Sequence, residues 1–132
     1  IIPDLPVDVY ADEYKAIFEK YGLINVFLIT PQTSDERIRF IDSVSNGFIY
    51  MVSSASVTGS QSGFGNVQED YFERIGSMNL KNPQIVGFGI SNKETFSQAT
   101  KYAKGAIIGS AFIKHLSESG SGKIAEFVGG IR

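Results

Sequence analysis

Short apolar runs alternate with stretches of helical periodicity along this chain, and that alternation limits the fold more than any other feature of the sequence. Apolar runs that are not interrupted by polar residues indicate strands buried on both faces of a sheet. Strands that alternate with helices form a parallel sheet, so all of them end at one common edge. Five runs fit this description: residues 1–5, 25–30, 48–53, 85–90 and 106–108.

Apolar residues at helical spacing fill the segments between these runs. Two pairs, Thr33 with Glu36 and Ser91 with Glu94, have the spacing of a capping box and predict where two helices begin. Gly22 is placed to end the first helix. The apolar residues that mark the helices are Tyr10, Tyr14, Ile17 and Tyr21, then Ile38, Ile41 and Val44, then Val67, Tyr71, Ile75 and Met78, then Phe96, Ala99 and Ala103, and finally Ile124, Phe127, Val128 and Ile131.

The number of strands leaves two architectures open. A closed barrel of this kind takes eight βα units in about 250 residues, and five units cannot close it. The sheet is therefore either open or part of a barrel that lacks three units. The first residue is Ile1 rather than Met, and it already lies in an apolar run, which favours missing units on the N-terminal side.

Composition excludes several classes of function. Lys and Arg number 12 against 14 Asp and Glu, and no basic cluster is present to bind a nucleic acid. No apolar run reaches the roughly 18 residues that span a bilayer. Cysteine is absent, so there is neither a disulfide framework nor a thiolate metal site, in agreement with a cytoplasmic location.

Two glycine-rich turns follow neighbouring strands. Gly87 and Gly89 end one strand just before the helix start at Ser91, and Gly109 with Ser110 ends the last strand before a short helix. Glycine lets the backbone approach a ligand closely, and a helix start offers unpaired N–H groups to an anion. Two such turns on the final strands of a barrel form a phosphate site. The alternative for each turn is a tight βα connection that uses glycine only for its geometry.

A long stretch rich in Ser and Gly, residues 54–65, follows the strand at 48–53. Because long loops in compact domains are usually functional or disordered, it is predicted to be a lid that closes over a substrate. The alternative is an exposed loop without a role.

The chemistry itself is not visible in this chain. The single histidine, His115, is interpreted as a surface or locally bonded residue, and no Ser/His/Asp set can be assembled. No cluster has the spacing of metal ligands, so neither a metal nor a cofactor is expected.

Taken together, the motifs of this chain resemble those of the tryptophan synthase alpha subunit. The resemblance covers nearly the whole chain and begins at about the fourth barrel strand of that family. Each motif is modest alone, but their order and spacing are specific. The motifs are Pro3-Asp4-Leu5-Pro6, Tyr50 within residues 47–53, Val57-Thr58-Gly59, residues 87–91, and Gly109-Ser110-Ala111.

This resemblance implies an α/β fold, a partial (β/α)8 TIM barrel with about five parallel strands, of which residues 1–132 are the C-terminal portion of one domain. The family cleaves indole-3-glycerol phosphate to indole and glyceraldehyde 3-phosphate and passes indole to a beta subunit. Its catalytic Glu and Asp lie on early strands, so no catalytic residue is expected in this chain, and alone it is expected to be inactive. The residues expected to bind substrate are Tyr50 and Thr58, and those expected to bind its phosphate are Gly59, Gly89, Gly109 and Ser110.

Two other functions stay open at this stage. One is a different phosphate-binding barrel enzyme, such as an isomerase or synthase of tryptophan or histidine biosynthesis, because such barrels share this kind of phosphate-binding site. The other is a non-catalytic half-barrel that binds phosphate or associates through its sheet edges.

Overall fold

Four parallel strands form one sheet in the structure, a computed structural model that describes residues 1–53 and 65–132. The strands lie in the order in which they follow one another along the chain, and all three pairings are parallel. Their carboxyl ends therefore meet at one edge, as predicted. The strands are β1 Phe27–Ile29, β2 Ile49–Val52, β3 Gln84–Gly87 and β4 Gly105–Ile107.

The predicted strand at residues 1–5 is absent. This segment forms a turn in which the Leu5 N–H donates to the Ile2 carbonyl at 3.3 Å. Pro3 and Pro6 have no N–H to give to a neighbouring strand, which disfavours a place inside a sheet. The apolar run was the correct observation, but the two prolines decide its conformation.

Helices alternate with the strands, as the spacing of apolar residues predicts. The first helical stretch is interrupted by a π-helical segment, and Gly22 follows it with a φ of +64°. Tyr10 is buried and packs edge-to-face on Phe27 of β1, with ring centroids 5.1 Å apart, which ties this stretch to the sheet. The helical elements are α1 Val7–Val9, the π-helical segment Tyr10–Tyr14, α2 Lys15–Lys20, α3 Asp35–Val44, α4 Asn66–Ser77, α5 Lys93–Thr100, α6 Ser110–Ser119, a 3-10 turn Ser121–Lys123 and α7 Ile124–Ile131.

The first helical stretch leaves most of its regularly spaced apolar residues exposed. Of its four regularly spaced apolar residues, only Tyr10 is buried, whereas Tyr14, Ile17 and Tyr21 are 40, 49 and 67% exposed. Helical spacing predicts that these residues share a side of the helix, but it does not predict that the side is covered.

Both predicted helix caps are displaced by one residue, and only the cap of α5 forms a capping box, between Asn92 and Thr95. The cap of α3 is Ser34, which accepts a hydrogen bond from the Arg37 N–H at 3.3 Å. Thr33 instead accepts from the Thr30 N–H at 2.9 Å and so closes the turn after β1. The cap of α5 is Asn92, whose side chain accepts from the Thr95 N–H at 2.9 Å.

One hydrophobic core lies between the sheet and the helices. Alternate strand residues point toward the helices, and on that side Ile29, Ile49, Met51 and Val86 are at most 1% exposed. The opposite face of the sheet carries Tyr50 and Gly87. In the part of the chain that the structure describes, no helix is both long and apolar enough to cross a bilayer.

A buried carboxylate joins α3 to the segment before β3. Asp42 accepts hydrogen bonds from the backbone N–H groups of Lys81 and Asn82, at 2.7 and 2.9 Å, and from the Asn82 side chain at 2.8 Å. Burial raises the pKa of Asp42, but the hydrogen bonds from Asn82 and Lys81 together outweigh it and leave the pKa below its usual value. These hydrogen bonds fix the backbone just before β3 against α3.

Candidate functional site

A cavity of about 300 Å³ lies at the carboxyl ends of β2, β3 and β4. Tyr50 of β2 forms one side, Phe88 and Gly89 from the turn after β3 form another, and Gly109 and Ser110 at the start of α6 complete it. Ligands of parallel α/β sheets bind at this edge. The cavity is therefore the candidate binding site.

Four of the six predicted site residues meet around this cavity: Tyr50, Gly89, Gly109 and Ser110. They come from strand β2 and from the turns after β3 and β4, and the parallel register of these three strands brings them together. Thr58 and Gly59, with the predicted lid at residues 54–65, lie outside the described residues except for Gly65, which caps α4. The ligand-binding role of all six residues stays a prediction.

The two glycines at the end of β3, Gly87 and Gly89, have different roles. A Cβ atom at Gly87 would overlap the Tyr50 ring at Oη, Cζ and Cε1, each closer than 3.0 Å. Gly87 is therefore required so that the Tyr50 side chain can lie across β3. Of the two glycines, only Gly89 was predicted to bind phosphate, and only Gly89 lines the cavity.

Tyr50 presents a neutral phenol to the cavity. The residue is 9% exposed, and burial raises the pKa of its hydroxyl. Its ring packs edge-to-face against Phe88, with centroids 5.9 Å apart and an interplanar angle of 65°. Since the hydroxyl keeps its proton at neutral pH, Tyr50 offers a hydrogen-bond donor beside an aromatic wall.

Phe88 has an unusual backbone conformation. Its φ is +67°, followed by +72° at Gly89, so two successive residues are left-handed. For a bulky residue this conformation costs about 1–2 kcal/mol. Such strain is typical of functional turns and requires surrounding contacts that hold it.

The helix starts on either side of the cavity differ in how they are capped. At α5, the Asn92 side chain caps the helix, and the N–H groups of Ser91 and Asn92 both donate to Thr95 Oγ1, at 3.1 and 3.2 Å. At α6, the cap residue is Gly109, and no side chain in the described part of the chain makes a cap hydrogen bond. The first N–H groups of any helix lack partners within the helix. An anion in the cavity would therefore supply the cap of α6 and meet the positive end of its dipole.

Among the described residues, none with a charged side chain lines the cavity. A phosphate there would be held by backbone N–H groups and by the hydroxyls of Ser110 and Tyr50 rather than by Lys or Arg. Within residues 1–53 and 65–132, no group of three or more His, Cys, Asp or Glu is arranged to hold a metal ion. His115 lies with Nε2 at 3.1 Å from the Lys123 carbonyl and its ring against Phe127, which is the local role that the sequence reading gave it.

Comparison with known proteins identifies the family. The family model described as tryptophan synthase alpha chain matches residues 1–128. The tryptophan synthase alpha chain of Flavobacterium johnsoniae is 95% identical over 132 residues, which are all of this chain and 52% of that protein. The alpha chain of Flavobacterium psychrophilum is 76% identical over 128 residues, 97% of this chain and 51% of that protein.

Solved structures give the same answer for the fold. A chain from the tryptophan synthase a2b2 complex of the hyperthermophile Pyrococcus furiosus superimposes with a TM-score of 0.81 at 33% identity, over 97% of this chain and 52% of that one. The alpha subunit of the same organism gives a TM-score of 0.79 at 31% identity, over 98% and 53%. The chain thus spans about half the length of the proteins it matches. On the strength of the family model and these relatives, the chain belongs to the tryptophan synthase alpha chain family.

Proposed function

We propose that the cavity binds the phosphate of indole-3-glycerol phosphate, and that this chain is the phosphate-binding portion of a lyase that releases indole and glyceraldehyde 3-phosphate in tryptophan biosynthesis. The observation that carries the proposal is the start of α6, which no described side chain caps and which lines the same cavity as Gly89. Residues 1–132 are then the C-terminal portion of a single TIM-barrel domain. Two glycine turns on adjacent final strands are where such barrels bind phosphate.

The proposed reaction breaks the bond between the indole ring and the glycerol phosphate chain. A general acid protonates the indole ring, and a general base takes a proton from a substrate hydroxyl. The described residues that line the cavity include no carboxylate, so we assign acid and base to other parts of the protein. The residues in this chain bind and orient: the start of α6 fixes the phosphate, and Tyr50 with Phe88 gives the rest of the substrate an aromatic wall.

We further propose that the protein works with a tryptophan synthase beta subunit in the cytoplasm. The support is its similarity to the alpha subunit of an a2b2 complex, and the beta subunit would use the indole that this chain helps to release. Thr58 and Gly59 are proposed to contribute to substrate and phosphate binding.

A charge placed at the α6 cap tests the phosphate site. A Cβ atom added at Gly109 meets no atom of the described residues within 4 Å, and aspartate is a preferred helix cap, so Gly109→Asp should preserve folding. The carboxylate would repel a phosphate at the same helix start. In calorimetric titrations of the protein in its native length, we expect the affinity for glycerol 3-phosphate to fall at least about 50-fold.

Gly122→Asp is the matched control. It adds the same charge at another glycine with open space around it, in the turn beyond the far end of α6. This variant should bind glycerol 3-phosphate like the unaltered protein. We also expect indole-3-propanol phosphate to bind more tightly than glycerol 3-phosphate because of the aromatic wall. Equal binding by the two Asp variants would refute the proposed site.

A further inference from the structure

Ser53 lies beneath the strained turn at Phe88 and Gly89 rather than in the cavity. It is the residue after the end of β2 and is 1% exposed. Its backbone N–H donates to the Gly87 carbonyl at 3.2 Å and extends the β2–β3 ladder by one bond. Its hydroxyl lies 2.9 Å from the same carbonyl oxygen and 2.6 Å from that of Phe88, so one proton serves both.

These contacts fix the direction of two peptide groups. In a trans peptide the N–H and the C=O point in opposite directions, and the described residues contain no cis peptide bond. The carbonyls of Gly87 and Phe88 both turn toward Ser53. The N–H groups of the same two peptides, which belong to Phe88 and Gly89, therefore turn away from Ser53.

Phe88 and Gly89 both line the cavity. Two successive N–H groups that point to one side make a concave site for an anion. This arrangement needs the left-handed φ of +67° at Phe88, which a bulky residue adopts only under restraint. The Ser53 hydroxyl provides such a restraint, because it binds the carbonyls on both sides of the Phe88 Cα.

We propose that Ser53 is a positioning residue for phosphate: by holding the carbonyls of Gly87 and Phe88, it aims the N–H groups of Phe88 and Gly89 at the anion. The inference rests on the proposed function and adds a second group of donors opposite the start of α6. It also assigns a binding task to Phe88, whose N–H rather than whose ring contacts the phosphate.

Ser45 provides a matched control within the chain. It is also 1% exposed, and its hydroxyl donates to the Ile41 carbonyl at 2.7 Å. It caps the end of α3 before β2 begins, at the edge of the sheet opposite to the cavity. Ser45→Ala and Ser53→Ala therefore delete the same atom from equally buried sites, and only one of these sites touches the turn.

The experiment is a titration of the native-length protein with inorganic phosphate, followed by the 1H–15N shifts of the Phe88 and Gly89 amides. We expect Ser53→Ala to weaken phosphate binding about tenfold and to reduce both shift changes. Ser45→Ala should bind within about twofold of the unaltered protein, since it removes one hydrogen bond of similar strength far from the anion. Ser53→Thr, which keeps the hydroxyl, should stay within about threefold. Urea unfolding of each variant gives its stability separately.

Affinity that follows the hydroxyl at position 53 would support the inference. Affinity that follows unfolding free energy across the three variants, or that is the same in both Ala variants, would overturn it and leave the phosphate site intact. An unaltered protein that does not bind phosphate would overturn the proposed function and this inference together.

Discussion

Replacing Gly87 by alanine tests how the site is built, because the added methyl group would occupy the place of the Tyr50 ring. The overlap involves the phenolic oxygen Oη and two ring atoms, Cζ and Cε1. The ring is rigid, so it can escape only by turning as a whole about its two side-chain torsions. Tyr50 is 9% exposed and packs on Phe88, and such a turn would break up its buried packing and its contact with Phe88.

The expected cost has two parts, the strain from the added methyl group and the lost ring pair with Phe88. Forcing an extra methyl group into a packed site costs about 1–3 kcal/mol. The edge-to-face pair with Phe88 contributes about 0.5–1.5 kcal/mol beyond its buried area. We therefore expect Gly87→Ala to lower the free energy of unfolding by about 2–4 kcal/mol.

A double-mutant cycle in urea unfolding isolates this contact. Tyr50→Ala removes all three overlapping atoms, so in that background Gly87→Ala should cost less than about 1 kcal/mol. Tyr50→Phe is the matched control, because it removes Oη and leaves Cζ and Cε1 in place. Phenylalanine should therefore fail to relieve the cost. Additive effects of Gly87→Ala and Tyr50→Ala, or full relief by Tyr50→Phe, would refute the reasoning.

Three further predictions concern the scaffold. Asp42→Ala leaves the N–H groups of Lys81 and Asn82 without their acceptor and should lower the free energy of unfolding in urea by about 2–4 kcal/mol. Because the folded pKa of Asp42 is lowered, its contribution is complete above the usual aspartate pKa of about 3.9 and is lost as the pH falls through the folded value, so stability of the Asp42→Ala variant should depend less on pH below about 4. Gly22→Ala meets no atom within 4 Å but places a side chain at a φ of +64°, and it should cost about 1 kcal/mol in thermal unfolding, unlike Gly122→Ala. Asn92→Ala removes the α5 cap and should cost about 1 kcal/mol, with faster hydrogen exchange in the first turn of α5.

Each of these has a clear contrary result. If the Asp42→Ala variant had the same free energy of unfolding as the unaltered protein at every pH between 3 and 7, the buried carboxylate would not stabilise the fold. Equal effects of the alanine substitutions at Gly22 and Gly122 would show that backbone conformation at Gly22 is not limiting. Unchanged amide exchange in α5 after Asn92→Ala would place its cap elsewhere.

The sequence predicted the four strands of the sheet well because buried parallel strands leave a simple signal, an uninterrupted apolar run. The same signal misled at residues 1–5, where the lack of N–H groups at Pro3 and Pro6 outweighs hydropathy. The helix caps were displaced by one residue because Thr33 and Ser91 lie next to equally suitable caps, Ser34 and Asn92. The choice between neighbours depends on which hydroxyl the preceding turn already uses.

The sequence also predicted which residues would meet at much of the candidate site. Gly89, Gly109 and Ser110 follow strands directly, so a parallel sheet alone brings them to one edge. Ser53 was missed because a buried serine at a strand end has no distinctive spacing. The left-handed backbone of Phe88 has no sequence signal either. It depends on hydrogen bonds from Ser53 to the carbonyls of Gly87 and Phe88, which lie 34 and 35 residues further along the chain.

The most direct test of the central claim is a crystal structure of the protein soaked with glycerol 3-phosphate. We predict phosphate density between the turn at Phe88 and Gly89 and the start of α6, within hydrogen-bonding distance of the Gly89 and Ser110 N–H groups. Ordered phosphate bound elsewhere, with this cavity still empty, would contradict the account.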